Sequence, residues 1–183
     1  MLELVGMTRD FGKLRAINDI NIRVERGKIM GLIGPNGSGK TTLFNLISGF
    51  LGPTRGKIMW EGENIAGKPP HVIAGRGIVR TFQLTNVYGE LTVLGNVLMA
   101  CHLQTGMGFF EQFLGSHRVR EKEKALEEKA LNLLEFMGIE KERDKSAGEL
   151  PGGTQRILTI ATALATSPKL LMLDEPLAGL NTS

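Results

Sequence analysis

Gly34, Pro35, Asn36, Gly37, Ser38, Gly39, Lys40, Thr41 and Thr42 form the stretch with the clearest chemistry. A glycine, four further residues and then Gly-Lys-Thr is the spacing of a phosphate-cradling P-loop. Glycines let the backbone curl until successive N–H groups point at one phosphate. A helix beginning at Lys40 would aim its positive dipole end at the same place. Lys40 would reach the β- and γ-phosphates of a nucleoside triphosphate, and the Thr41 hydroxyl would ligate Mg²⁺.

A second group of reactive residues follows the apolar run Leu170-Leu171-Met172-Leu173, namely Asp174 and Glu175. A buried strand that delivers acids at its C-terminal end places them where α/β sheets bind ligands. Asp174 would hold Mg²⁺ through water, and Glu175 would orient and deprotonate an attacking water. Gly152 and Gly153 precede a helix whose N-terminus is a second potential anion site. Gln83 could act as an amide ligand to Mg²⁺ or to a water, although a glutamine in such a loop is also common solvated surface. Phe11 could stack on a purine base or simply fill the core.

The elements that must position these residues can be read from periodicity. Lys28 to Ile33 reads as a buried strand into the P-loop, and Leu43 to Ile47 as the start of the helix after it. Leu2, Leu4 and Met7 begin an alternating strand that breaks near Asp10-Phe11-Gly12. Ile20, Ile22 and Val24 face one side of another, and Lys57 to Trp60 forms a third. Gly67 to His71 reads as a loop, and Gly77 to Gln83 as a strand leading into a loop. Leu91 to Met99 has helical spacing, Gly106 to Gly115 is a loop bearing Phe109, Phe110 and Phe113, and Arg118 to Met137 is a long amphipathic helix with Gly138 at its C-terminal end. A further helix, Gln155 to Thr166, carries Ile157, Ile160, Ala161 and Leu164 on one side. The expected fold is α/β: a P-loop NTPase core with a flanking antiparallel β layer and an inserted helical subdomain. Its segments are 1–86 for the core and β layer, 87–148 for the helical subdomain, and 149–183 for the helix after Gly152-Gly153 and the Asp-Glu strand.

The chain has 183 residues, an apolar content of 42% and a formal charge of +3. That length suits one domain with a subdomain. The small charge implies no general basic field for nucleic acid. The single cysteine, Cys101, excludes an internal disulfide and fits a reducing compartment. No stretch reaches the roughly eighteen apolar residues of a membrane span, and the N-terminus lacks a signal-type pattern. A cytoplasmic chain is expected, reaching a membrane only through a partner.

The order of motifs resembles the nucleotide-binding subunit of an ABC transporter over essentially the whole chain. The residues that carry the resemblance are the P-loop, the Gln83 loop, Leu150-Pro151-Gly152-Gly153-Thr154-Gln155-Arg156, Leu171-Met172-Leu173-Asp174-Glu175-Pro176 and Ala178-Gly179-Leu180-Asn181. Arg80-Thr81-Phe82-Gln83, the long loop after Met99 and the Ala-Gly-Leu-Asn ending look most like the ATPase subunits of branched-chain amino acid importers. Related urea and amide importers share that look. The resemblance implies two such subunits sandwiching two ATP molecules head to tail, each between one P-loop and the other subunit's signature sequence. Phe11 then matches the aromatic stacked on adenine. Gln83 matches the loop that senses Mg²⁺ and contacts the transmembrane permease subunits, which take cargo from a periplasmic or extracellular binding protein. Leu180 and Asn181 match the loop that couples the two sites, and Glu175 matches the catalytic carboxylate. The subunit would be peripheral on the inner face of the membrane.

Two departures from the family pattern stand out. The signature usually reads Leu-Ser-Gly-Gly-Gln, and Pro151 has neither the hydroxyl nor the N–H of the serine. Losing a hydrogen bond to a charged group, worth about 1.5–3 kcal/mol, would weaken the closed sandwich roughly tenfold to a hundredfold per site. The family also places a switch histidine on one more strand beyond the Asp-Glu pair, and none of His71, His102 and His117 lies there. The expectation for the chain as written, a truncation or a fragment, is ATP binding with severely reduced hydrolysis. A hydrolysis-deficient nucleotide-binding module and a soluble ABC ATPase of DNA repair or translation are the alternatives of a different class.

Overall fold

Alternating burial builds the first sheet. Leu2, Leu4 and Met7 point into the core from β1 (Leu2–Phe11), and Ile58 and Trp60 do so from β3 (Arg55–Trp60). With β2 (Leu14–Val24) and β4 (Glu63–Asn64) these strands form an antiparallel sheet in the order β2-β1-β3-β4. Leu2 lies opposite Val24 on one side and Trp60 on the other, and Leu4 lies between Ile22 and Ile58. The ladder slips after Leu4, where Gly6 has a φ of 60° and its N–H donates to Asn21 Oδ1 at 2.8 Å. A Cβ on Gly56 would lie 2.5 Å from the Gly6 carbonyl oxygen, so the facing strand also needs a glycine there.

The computed structural model describes residues 1–81, 87–105 and 117–176, excluding the side chains of 103–105 and 117–119. The chain forms two compact units, Met1–Val79 and Arg80–Ser183. The first holds the antiparallel sheet, α1 (Lys40–Ile47) and the short α2 (Pro70–Gly75). Leu43, Leu46 and Ile47 are the buried residues of α1.

Two expectations for this unit need correction. Lys28 to Ile33 is not a strand, and Ile29 and Ile33 are almost fully exposed. Strand structure requires neighbours that take up the backbone N–H and C=O groups, and among the described strands none pairs with this run. Its apolar composition is therefore not enough. Gly67 to His71 is not all loop either, because Pro70 opens α2 from the first helical position, where a missing N–H costs nothing.

The second unit is mainly helical. α3 (Val93–Thr105), α4 (His117–Phe136) and α5 (Gly152–Ala165) share a core that includes Val97, Leu134, Leu158 and Ala161. α4 ends as its sequence suggests: Gly138 has a φ of 71°, and the Ile139 N–H donates to the Leu134 carbonyl at 3.0 Å. The strand β5 (Ile78–Thr81) runs into this unit and pairs with β6 (Leu170–Leu173). The buried face of α5 is turned from the expected one. Arg156, Leu158, Thr159, Ala161 and Ala165 are buried, whereas Ile157, Ile160 and Leu164 are only partly covered. Small residues at 161 and 165 admit close packing, and Arg156 is drawn inward by acceptors described below. The Gly106 to Gly115 loop lies outside the described residues.

Candidate functional site

The P-loop is shaped by backbone conformations that suit glycine. Gly37 and Gly39 have φ values of 80° and 91°, in the left-handed region where a side chain is strained. Space enforces the same choice at Gly39, whose Cβ would lie 2.7 Å from the Ala16 carbonyl oxygen and 2.8 Å from Ile17 Cδ1. The β2 strand thus lies directly against the N-terminus of α1. The Ser38 N–H donates to the Pro35 carbonyl at 3.2 Å, closing the turn.

Gly39 caps α1 without a side-chain bond to the helix, and no acid sits in the first turn. Among the described residues, then, neither a capping side chain nor a first-turn acid answers the donors and dipole of this helix end. Lys40 leads the helix and folds back, donating from Nζ to the carbonyls of Gly34 at 2.7 Å and Pro35 at 2.8 Å. Its ammonium is held against the loop. Thr41 presents an exposed residue beside it, and Thr42 is partly buried.

In the second unit β6 is followed directly by Asp174 and Glu175. The buried Asp174 accepts at Oδ2 from Arg80 Nη2 at 2.7 Å, and both side chains of this pair are nearly covered. A carboxylate has about four acceptor positions, so this bond leaves Asp174 capacity for a further partner. Arg156, on α5, donates from Nη2 to the Asp174 carbonyl at 2.5 Å and the Glu175 carbonyl at 2.8 Å. Glu175 itself is exposed and has a φ of 47°, an uncommon conformation for a non-glycine residue. The residue proposed as general base thus sits on a bent, externally braced backbone.

The N-terminus of α5 carries Gly152 and Gly153. Pro151 is its cap, extended at φ −56° and ψ 146°, and the Pro151 carbonyl accepts from the Gln155 N–H at 3.0 Å. Gln155 Nε2 also donates to the carbonyls of Leu150 at 3.1 Å and Ala147 at 3.3 Å, fixing the approach to the helix. Pro151 supplies no donor of its own, which leaves Gly152 and Gly153 as the first residues here with backbone N–H groups.

Phe11 ends β1 at the hairpin turn, 42% exposed, with Arg9 Cζ 4.6 Å from its ring centroid. Gln83, Leu180 and Asn181 lie outside the described residues. Among the described residues no cluster of three or more His, Cys, Asp or Glu could hold a metal ion. Among the described residues no helix is long and apolar enough to cross a membrane.

The ABC transporter family model matches residues 17–178. The chain belongs to the ABC transporter family. The cassette is 43% identical over 181 residues to the high-affinity branched-chain amino acid transport ATP-binding protein BraF of Pseudomonas aeruginosa, covering 99% of this chain and 71% of that one. It is 40% identical to LivG of Escherichia coli K12, of the same description, with the same coverage. Among solved structures, the ADP conformation of MJ1267, an ATP-binding cassette of an ABC transporter, superposes with a TM-score of 0.79 at 36% identity, covering 98% of this chain and 70% of that one.

Three arginines of the cassette escaped the sequence reading. Arg80 and Arg156 carry part of the family resemblance without a role of their own, and both side chains are covered against the Asp174–Glu175 turn. The available signal was position: an arginine among apolar neighbours, beside a strand that ends in acids, needs an acceptor. Arg9 precedes the aromatic candidate by two residues, the spacing that puts side chains on one strand face.

Proposed function

We propose that this cassette is the ATP-hydrolysing subunit of an importer of branched-chain amino acids. The observation that carries the cargo class is the 43% identity to BraF along 99% of the chain. The P-loop geometry supports the chemistry: an uncapped helix N-terminus, left-handed glycines and an ammonium held to the loop.

In this reading the loop Gly34 to Thr42 cradles the phosphates through its backbone N–H groups, of which Pro35 has none, and Lys40 offsets their charge. Thr41 and Asp174 would hold Mg²⁺, with Gln83 as a further ligand. The ion, when bound, neutralises charge on the phosphate oxygens. Glu175 orients and deprotonates the attacking water. Catalysis is positioning plus electrostatics, with little covalent work for the protein. Gly152 and Gly153 face the nucleotide of a second ATPase subunit in a head-to-tail dimer. The dimer docks on permease subunits at the cytoplasmic face of the membrane, which are served by a substrate-binding protein outside.

Glu175→Gln should trap an ATP-bound dimer. Light scattering with ATP and Mg²⁺ reads this directly, and a variant that stays monomeric would sink the general-base role. Pro151 favours a second reading, a nucleotide-binding subunit that hydrolyses poorly. Nucleotide titration with and without Mg²⁺, beside phosphate release, separates the two.

A further inference from the structure

We propose that Arg9 is a positioning residue for base recognition: its guanidinium backs the Phe11 ring and holds it ready for a purine to stack on. The inference rests on the nucleotide-binding reading above and adds to it the residue that prepares the base subsite.

The geometry lies wholly within the first unit. Arg9 and Phe11 stand two residues apart on β1, so both side chains leave the same face of the strand. Arg9 Cζ lies 4.6 Å from the Phe11 ring centroid, in the range of a cation–π stack. Arg9 Nη1 donates to the Gly52 carbonyl at 2.8 Å, which anchors the guanidinium from its far end. The same hairpin carries Ala16, whose carbonyl oxygen would lie 2.7 Å from a Cβ on Gly39. The aromatic and the phosphate cradle are therefore joined through one strand pair.

Fold stability alone gives this arrangement little reason. Phe11 keeps 42% of its surface exposed at a hairpin tip, where an apolar ring is not needed for the core. Arg9 Nε is buried with no hydrogen-bond partner among the described residues, an unfavourable use of a donor. What the stack does supply is a ring already fixed in place, so ligand binding need not order it. A lysine would retain the charge but lose the planar face and the fork that reaches Gly52.

The test compares ATP with inorganic tripolyphosphate, which has the phosphates but no base, by calorimetry on the full chain. Arg9→Ala should weaken ATP binding about three- to tenfold and leave tripolyphosphate within about twofold. On a Phe11→Ala background, Arg9→Ala should have no further effect on ATP, and Arg9→Lys should fall between wild type and Arg9→Ala. Should Arg9→Ala fail to fold by thermal melting, Arg9→Gln carries the same comparison. Unchanged ATP affinity, or equal weakening of both ligands, would overturn the proposal while leaving the phosphate cradle intact. An unmodified chain that bound neither ligand would overturn the nucleotide reading and this inference with it.

Discussion

Arg156 braces Glu175 from behind: Nη2 of the buried arginine is 2.8 Å from the Glu175 carbonyl oxygen, and it also bonds the Asp174 carbonyl. The helix that begins at Gly152-Gly153 is thereby tied to the backbone of the proposed general base, whose φ is 47°. Arg156→Ala leaves both carbonyls without this donor, at about 1–3 kcal/mol for each acceptor that stays unsatisfied. Urea titration should show that loss, and Arg156→Lys should recover only part of it, because the shorter lysine stem does not place its ammonium where Nη2 sits. A stability equal to wild type in Arg156→Ala would contradict the bracing role.

Arg80 and Asp174 form a buried ion pair in the second unit. Removing one partner strands the other charge, which typically costs about 3–5 kcal/mol. Arg80→Ala should therefore lower the urea midpoint far more than Arg143→Ala, whose pair with Asp144 is exposed. Similar midpoints in the two variants would contradict the burial of the Arg80 pair.

Gly39 is limited by both conformation and space. Gly39→Ala combines a left-handed backbone, costing about 1–3 kcal/mol, with a clash against the Ala16 carbonyl oxygen. Gly52→Ala meets open space at an ordinary φ and should stay within about 0.5 kcal/mol of wild type. Thermal melts of the two variants give the comparison, and equal melting temperatures would show that the loop is not so constrained.

Two surface pairs set an acid-side dependence. The Arg15 guanidinium bonded to Asp10 lowers that carboxyl below its ordinary 3.8, and Arg76 bonded to Glu63 lowers that one below 4.5. A folded pKa below the unfolded value stabilises above the unfolded pKa, and the gain disappears as pH falls through the folded one. Arg15→Gln and Arg76→Gln should thus be less stable than wild type at neutral pH, and each difference should vanish once the pH is below the lowered pKa of its carboxyl. Differences that persisted unchanged into strong acid would assign them to packing.

Much of this fold was written in local sequence. The P-loop glycines, the C-terminal glycine of α4 and the alternation in β1 each follow from one residue's conformational needs or from a short period. Lys28 to Ile33 was misread because strand formation depends on partner strands that an apolar run cannot specify. The face of α5 was misread for a related reason. Hydrophobicity ranks Ile157 and Ile160 above Arg156, but the Asp174 and Glu175 carbonyls, in the turn after β6, bring the arginine inside. The candidate site was legible as a set of motifs with fixed spacing, and its positioning by long-range hydrogen bonds was not.

The central claim is that the loop before α1 grips the phosphates of a nucleotide with Lys40 as its charge partner. Isothermal calorimetry of ATP with Mg²⁺ into the folded chain and its Lys40→Ala variant tests this most directly. Measurable heat with saturable binding is expected for the wild type, weakened at least tenfold in the variant, as befits a lost charge-assisted contact worth about 1.5–3 kcal/mol. Equal binding by both chains, or no heat from well-folded wild type, would contradict the account.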